Sequence, residues 1–245
     1  GAYITVPGHE IGKFYGWKYA GIIRNQADLD RLNAIAAEHG KTTYQQGANI
    51  GDCYYEDVNS DGVVDANDQT VLGSGLAKMN FGISARLAYK GFDLSIQTFG
   101  ALNYHVADDI YNSLNSCYGY ANKDVALTDA NRWNEDHTEY LSNVPRTYLT
   151  NNATLAWNDL FSSRKIQNAA YWKIANVELG YNMPDKWFGG VVTGVRVYVS
   201  VQNLYTFTGY KGYNVDYAGG VWTPGYNFCS FPTPRTFMCG LHFTF

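Results

Sequence analysis

The strongest constraint on this chain is a set of segments that alternate apolar and polar residues. In "KMNFGISARLAYKGFDLSIQTFG" (78–100), Met79, Phe81, Ile83, Ala85, Leu87 and Tyr89 take one face, and Asn80, Ser84 and Arg86 take the other. Lys90-Gly91 predicts a tight reversal, after which Phe92, Leu94 and Ile96 oppose Asp93, Ser95 and Gln97. A period of two marks a strand whose sides meet different surroundings. "AAYWKIANVELGYNMP" (169–184) keeps the period but changes phase: Trp172 and Ile174 precede the switch, Val177, Leu179 and Tyr181 follow it. That switch predicts a β-bulge near Ala175-Asn176. In "TGVRVYVSVQNLYTF" (193–207), Val195, Val197, Val199 and Val201 oppose Arg196, Tyr198, Ser200 and Gln202. The last segment opposes Phe237, Cys239, Leu241, Phe243 and Phe245 to Thr236, Gly240, His242 and Thr244.

The connections alternate as well: short at 90–91, long at 102–167, short at 183–192, long at 208–233. A soluble sandwich has no reason to segregate short turns from long loops, whereas an outer-membrane barrel puts short turns on the periplasmic side and long loops outside. On that assignment the last strand runs inward, Phe245 ends in the periplasm, and the segment before Met79 is extracellular. Arg86, Asp93, Glu178 and Arg196 all fall on the polar faces, where a wet bore solvates them. A midplane Arg or Lys against lipid costs roughly 2–4 kcal/mol. Trp17, Trp172, Trp187, Tyr181 and Tyr205 fall near predicted strand ends, where an interfacial girdle belongs. The small membrane barrels start at about 8 strands, so the remaining strands are expected from elsewhere in a longer chain.

Composition agrees. Charged residues are only 16% of the 245, aromatics another 16%, and the net charge of −4 offers no basic surface for nucleic acid. No apolar run approaches the roughly 18–20 residues of a membrane-crossing helix. The opening "GAYITVPGHEIG" lacks the basic and apolar regions of a signal peptide and reads like the middle of a longer or processed chain. Cys53, Cys117, Cys229 and Cys239 form no CxxC pair, which disfavours zinc. Cys117 and Cys229, both in loops, are candidates to pair in an oxidising compartment. Near the N-terminus a strand is expected over 13–23 and a helix over about 27–38, started by Asn25 or Asp28 and ended by Gly40.

"DVNSDGVVDAND" (57–68) carries the sharpest chemical signal. Calcium takes six to eight hard oxygens, which loops of this spacing supply from positions 1, 3, 5, 7, 9 and 12. Here those are Asp57, Asn59, Asp61, the Val63 carbonyl, Asp65 and Asp68, with Gly62 at the sharp turn and Val64 placed as an apolar anchor. Asp68 stands where an EF-hand has Glu, a shorter reach toward the ion. An acidic turn cluster without metal, or a dockerin repeat, are the competing readings; a dockerin needs a second loop, and only one is present.

Taken in order, "IGKFYGWKYAGI" (11–22), "DVNSDGVVDANDQTVLG" (57–73), "FGISARLAYKGFDLSIQTFG" (81–100), "YWKIANVELGYNMP" (171–184), "VRVYVSVQNLYTFTGYKGYNVD" (195–216) and "FPTPRTFMCGLHFTF" (231–245) resemble the C-terminal portion of SusC/RagA-like TonB-dependent outer-membrane transporters. The resemblance implies an antiparallel transmembrane β-barrel of 22 strands with an N-terminal plug. It also implies import of oligosaccharides or peptides, a SusD-like surface lipoprotein as lid, and TonB energy coupling through an N-terminal region absent here. The last strand resembles the family's assembly signal, with Gly240 and Phe243-x-Phe245; Met238 departs from it.

The chain divides at 77/78: an extracellular loop region with strand, short helix and calcium-like loop, then C-terminal barrel strands with two long extracellular loops. His9, His39, His105, His137 and His242 are scattered, Asp108-Asp109 sits in a loop, and no hydrolase or phosphate-loop motif occurs, so no enzyme is expected. Loop rings (Tyr111, Tyr118, Tyr120, Trp133, Tyr210, Tyr213, Tyr217, Trp222 and Tyr226) are candidates to stack on sugars or pack a partner. The alternative function is a secreted, calcium-stabilised carbohydrate-binding β-domain. It requires the Val and Phe rows to be covered by a second sheet.

Overall fold

The computed structural model describes residues 2–8, 10–116, 124, 133, 144–147, 157–188, 190, 192–216 and 219–245. The chain forms two compact units: Gly1–Leu76 with His105–Gln167 and Ala218–Cys229, and Ala77–Tyr104 with Asn168–Tyr217 and Ser230–Phe245. The sequence division at 77/78 assigns both long loops to the strands, whereas 105–167 and 218–229 group with the N-terminal stretch.

In the first unit, Lys13–Gly16 pairs antiparallel with both Tyr3–Ile4 and Thr70–Ser74, while Tyr19–Ile22 pairs with Cys53–Tyr55. The strand expected over 13–23 is therefore two strands in two sheets. The break follows from crowding: a Cβ at Gly16 would lie 2.2 Å from the Phe161 carbonyl oxygen. Trp17 then bridges Ser162 and donates its indole N–H to the Asp65 carbonyl at 3.1 Å. It packs against the core of this unit, which corrects its assignment to a membrane girdle.

Helix α1 (Gln26–Glu38) begins where Asn25 Oδ1 accepts the Asp28 N–H at 3.0 Å, one of the orphan donors of a first turn. It ends before Gly40, whose φ of +72° suits glycine. Leu32 and Ala36 face a core with Ile23, Tyr44, Cys53, Tyr55 and Val64. A second, shorter helix, α2 (Asp109–Leu114), starts where Asp108 Oδ1 accepts the Tyr111 N–H at 2.8 Å.

The second unit is a five-stranded antiparallel meander: β1 (Met79–Tyr89), β2 (Phe92–Leu102), β3 (Tyr171–Met183), β4 (Gly194–Thr208) and β5 (Thr236–Thr244), neighbours in sequence order. Lys90 (φ +47°) and Gly91 (φ +89°) make the predicted reversal. The register aligns Leu87, Leu94, Leu179, Val199 and Cys239 in one row, so every strand contributes to one apolar face. Register shifts between Ile174 and Asn176, as the phase switch predicted. No described helix is long and apolar enough to cross a membrane.

Candidate functional site

The loop at 57–68 is built by short-range bonds from carboxylates to backbone. Asp57 Oδ2 accepts the Gly62 N–H at 2.7 Å, Asp61 Oδ1 accepts Val63 N–H at 3.0 Å, and Asn59 Oδ1 accepts Asp61 N–H at 3.0 Å. Gly62 has φ +85°, and a Cβ there would meet the His39 side chain, so the turn requires glycine. Asp68 is fully buried. Its Oδ1 accepts from Val58 N–H at 2.8 Å and its Oδ2 from Asp65 N–H at 2.7 Å, closing a capping box around the turn Ala66–Asp68. Val64 is 2% exposed and its N–H reaches the Tyr44 carbonyl, tying the loop into the core. Asp57, Asn59, Asp61, Val63, Asp65 and Asp68 thus share one compact loop. Among the described residues no three His, Cys, Asp or Glu side chains converge as a ready-made metal cage.

The sheet of the second unit presents two surfaces of opposite chemistry. On the apolar one Leu87 is 64% exposed, Leu241 61% and Phe237 71%, so within this sheet's own unit the face is left bare by the described residues. A water-soluble protein rarely leaves so large an apolar face bare. Rings cluster at its two ends, with Trp172 stacked on Phe207 at 5.5 Å beside Tyr205, and Phe92 against Tyr181 at 4.6 Å. Between Tyr181 and Trp172 lie eight strand residues including the bulge. At ~3.3 Å per residue and a tilt of roughly 40°, that is roughly 20 Å of height, near the ~25 Å apolar band of a membrane barrel. Trp187 is exposed in the turn Asp185–Trp187 after β3.

The opposite surface carries an ion network. Arg196 Nε reaches Asp93 Oδ1 at 3.0 Å and its NH2 reaches Glu178 Oε1 at 2.7 Å, spanning three strands. Glycine makes room for it: a Cβ at Gly180 would lie 2.4 Å from the guanidinium, and one at Gly240 would lie 2.5 Å from the Tyr198 ring. Lys173, buried on the same strand as Glu178, pairs with Asp216 at 2.7 Å.

No protein-family model matches the chain. TonB-dependent receptor P3 of Formosa agariphila is 27% identical over 251 residues, covering 99% of this chain and 23% of the relative. TonB-dependent receptor SusC of Bacteroides thetaiotaomicron is 25% identical over 193 residues, 78% of this chain and 17% of the relative. Over nearly its whole length the chain is similar to a portion of these TonB-dependent receptors. It spans about a quarter or less of the length of the curated relatives it matches. Its fold superposes on the RagAB peptide transporter with a TM-score of 0.71 at 21% identity, over 98% of this chain and 24% of that one. The RagAB peptide importer in its "closed-closed" state gives 0.67 at 23%.

The loop rings play unequal parts. Trp133 is buried on Gly51 and donates to the Arg24 carbonyl, so it holds loops together. Tyr210 is buried, Tyr213 and Trp222 are exposed, and Tyr111 is half-buried. Tyr226 donates to Asp109 Oδ1 at 2.8 Å; burial first, then that carboxylate, push its hydroxyl up to about 12. Tyr118, Tyr120, Tyr217, His9 and His137 lie outside the described residues, as does Cys117, the expected partner of the exposed Cys229.

No sequence motif marks Asp52, which gathers four hydrogen bonds in the first unit. Asp52 is fully buried; it takes Arg146 at 2.6 and 3.0 Å, the Asn158 amide at 2.8 Å and the Asn49 N–H at 2.9 Å. Its partners lie up to 106 residues away, and no local pattern announces them.

Proposed function

We propose that this chain contributes barrel wall and extracellular loops to an outer-membrane importer of oligosaccharides or peptides. The observation that carries this is the bare apolar face five strands wide, backed by an ion network on the opposite surface. The first suits acyl chains and the second a watery bore. The names of the relatives support a receptor and transport role, and none is an enzyme. On this reading a SusD-like lipoprotein caps the loops, TonB supplies energy through another part of the polypeptide, short turns face the periplasm and long loops face outward.

Fractionation of cells expressing the full-length protein tests the placement: it should sediment with outer membranes and need detergent for extraction. Recovery of intact protein in the soluble periplasm would overturn it and favour the carbohydrate-binding domain. Orientation has its own test, in a Cys117→Ser/Cys239→Ser background. A membrane-impermeant maleimide should label Cys229 on intact cells, and protection until lysis would reverse the topology.

We further infer that the 57–68 loop holds a structural Ca2+. Its donors are all hard oxygens, and each carboxylate has about four lone-pair positions, of which backbone N–H groups use one at Asp61 and Asp65, two at Asp57 and three at Asp68. Asp57, Asn59, Asp61, Asp65, Asp68 and the Val63 carbonyl would hold it, and its charge would relieve repulsion among four carboxylates. Adding Ca2+ to chelator-treated protein should raise the melting temperature, and Asp57→Asn/Asp61→Asn should abolish the rise. An equal response in wild type and variant would sink this role.

A further inference from the structure

Within the second unit the chain leaves β4 at Thr208 and returns over the polar surface of the sheet as residues 209–216, a stretch with no helix or strand. Lys173 sits between Trp172 and Ile174 of the apolar surface, so its side chain leaves β3 on the polar one. There its Nζ donates to Asp216 Oδ2 at 2.7 Å, and the Lys173 side chain is only 6% exposed. The Tyr104 hydroxyl donates to the Val215 carbonyl one residue earlier. Tyr210 and Val215 are buried, while Tyr213 between them is exposed. Between the stretch and the sheet lies a cavity of about 120 Å³, whose walls include Thr206 and Thr208 of β4 and Asn214 and Asp216 of the stretch.

A polar void of this size has room for several waters. Residues 209–216 are thus seated on point contacts across a wet gap, not packed into a dry core. Lifting them bares hydroxyls and amides that water suits, so the cost falls on the anchors. The ion pair is the anchor that a neutral substitution reverses. With one partner gone, the remaining charge is costly where it is buried, and it regains water only if the stretch lifts. Lys173 has a second hold on the sheet, its Nζ lying 5.8 Å from the centre of the Phe99 ring, so the ammonium stays behind when Asp216 leaves. We propose that residues 209–216 are a strap with two positions, latched on the polar surface by the Lys173–Asp216 pair and lifted when that pair is broken. Latched, the strap covers part of the surface that the importer reading assigns to the bore; lifted, it clears that surface. This physiological meaning rests on that reading, whereas the latch itself does not.

The test places a reporter thiol beneath the strap, Thr206→Cys, in detergent-solubilised full-length protein whose other accessible cysteines are replaced by serine. The rate of its labelling by a bulky maleimide follows the lifted fraction. Labelling of this parent should be slow. Lys173→Met and Asp216→Ala should each speed it about tenfold or more, as loss of one partner of a buried pair predicts. The exchanged pair, Lys173→Asp with Asp216→Lys, should bring the rate back toward that of the parent, which a role for either residue alone would not do. The melting temperature of the sheet should stay near the parent's in every variant. Rapid labelling of the parent, single variants as slow as the parent, or an exchanged pair as fast as the single variants overturns the proposal. So does a fall in melting temperature that tracks the labelling, since the pair would then support the fold rather than hold a strap. Failure of the importer reading would show in fractionation, and failure of the latch in this labelling.

Discussion

The two units handle apolar surface in opposite ways. The first does what a water-soluble domain does: Ile23, Leu32, Tyr55 and Val64 are buried together, and its buried carboxylate Asp52 has its partners inside the unit. The second puts its largest apolar side chains outside and its ions on the opposite surface. One chain can contain both because the hydrophobic effect responds to the solvent met on each surface. The difference teaches that the second unit separates its apolar and ionic side chains onto opposite faces of one sheet, as the proposed placement against lipid requires.

Substitutions can break or sharpen that contrast. The largest effect belongs to Asp52→Ala, which strands Arg146, Asn158 and the Asn49 N–H. Breaking a buried pair by removing one partner costs about 3–5 kcal/mol, read as a lowered denaturation midpoint of the full-length protein. Leu32→Ala, a cavity in the same core, should cost about 2–4 kcal/mol. If the contrast holds, Leu179→Arg at the middle of the sheet's apolar face should cost roughly 2–4 kcal/mol in vesicles, while Glu178→Gln beside it should leave membrane insertion unchanged. Equal tolerance of Arg at 179 and of Gln at 178 would mean that no lipid meets the face.

Smaller still is Gly91→Ala. At φ +89° an L-residue is strained, for about 1–2 kcal/mol. The gentlest probe is alkaline pH. The Tyr226 hydroxyl is raised to about 12 from an ordinary value near 10. The folded form therefore favours its neutral state, and the stability this adds is complete below about pH 10 and lost as pH rises toward 12. Tyr226→Phe should flatten that part of the pH–stability curve.

Much of the second unit was legible in sequence because its information is local. Residues 79–102 announce a hairpin by period and by Lys90-Gly91, and the bulge by a phase switch within four residues. Helix α1 was legible for the same reason, through Asn25 and Gly40. The first unit was less so. Gly16 and Trp17 looked like mid-strand residues, and only Phe161 and Ser162, far along the chain, divert them. The 57–68 loop was found by spacing. The backbone bonds of Asp68 were not, since a motif names oxygens without saying what they already hold.

The irregularity at Ala175 has a geometric consequence. From Thr98 to Gln97 is one step on β2; the matching interval is two steps on β3, Ile174 to Asn176, and three on β4, Tyr205 to Gln202. Each successive strand thus carries one more residue at the same height, with Asn203 (φ +54°) in the widest interval. Extra residues of this kind bend and twist the strands that hold them. Local bending of this sheet is therefore set by a staircase of single insertions, separable from the chemistry of either surface, and shortening the chain there by one residue is a way to change the bend while leaving grease and charge where they are.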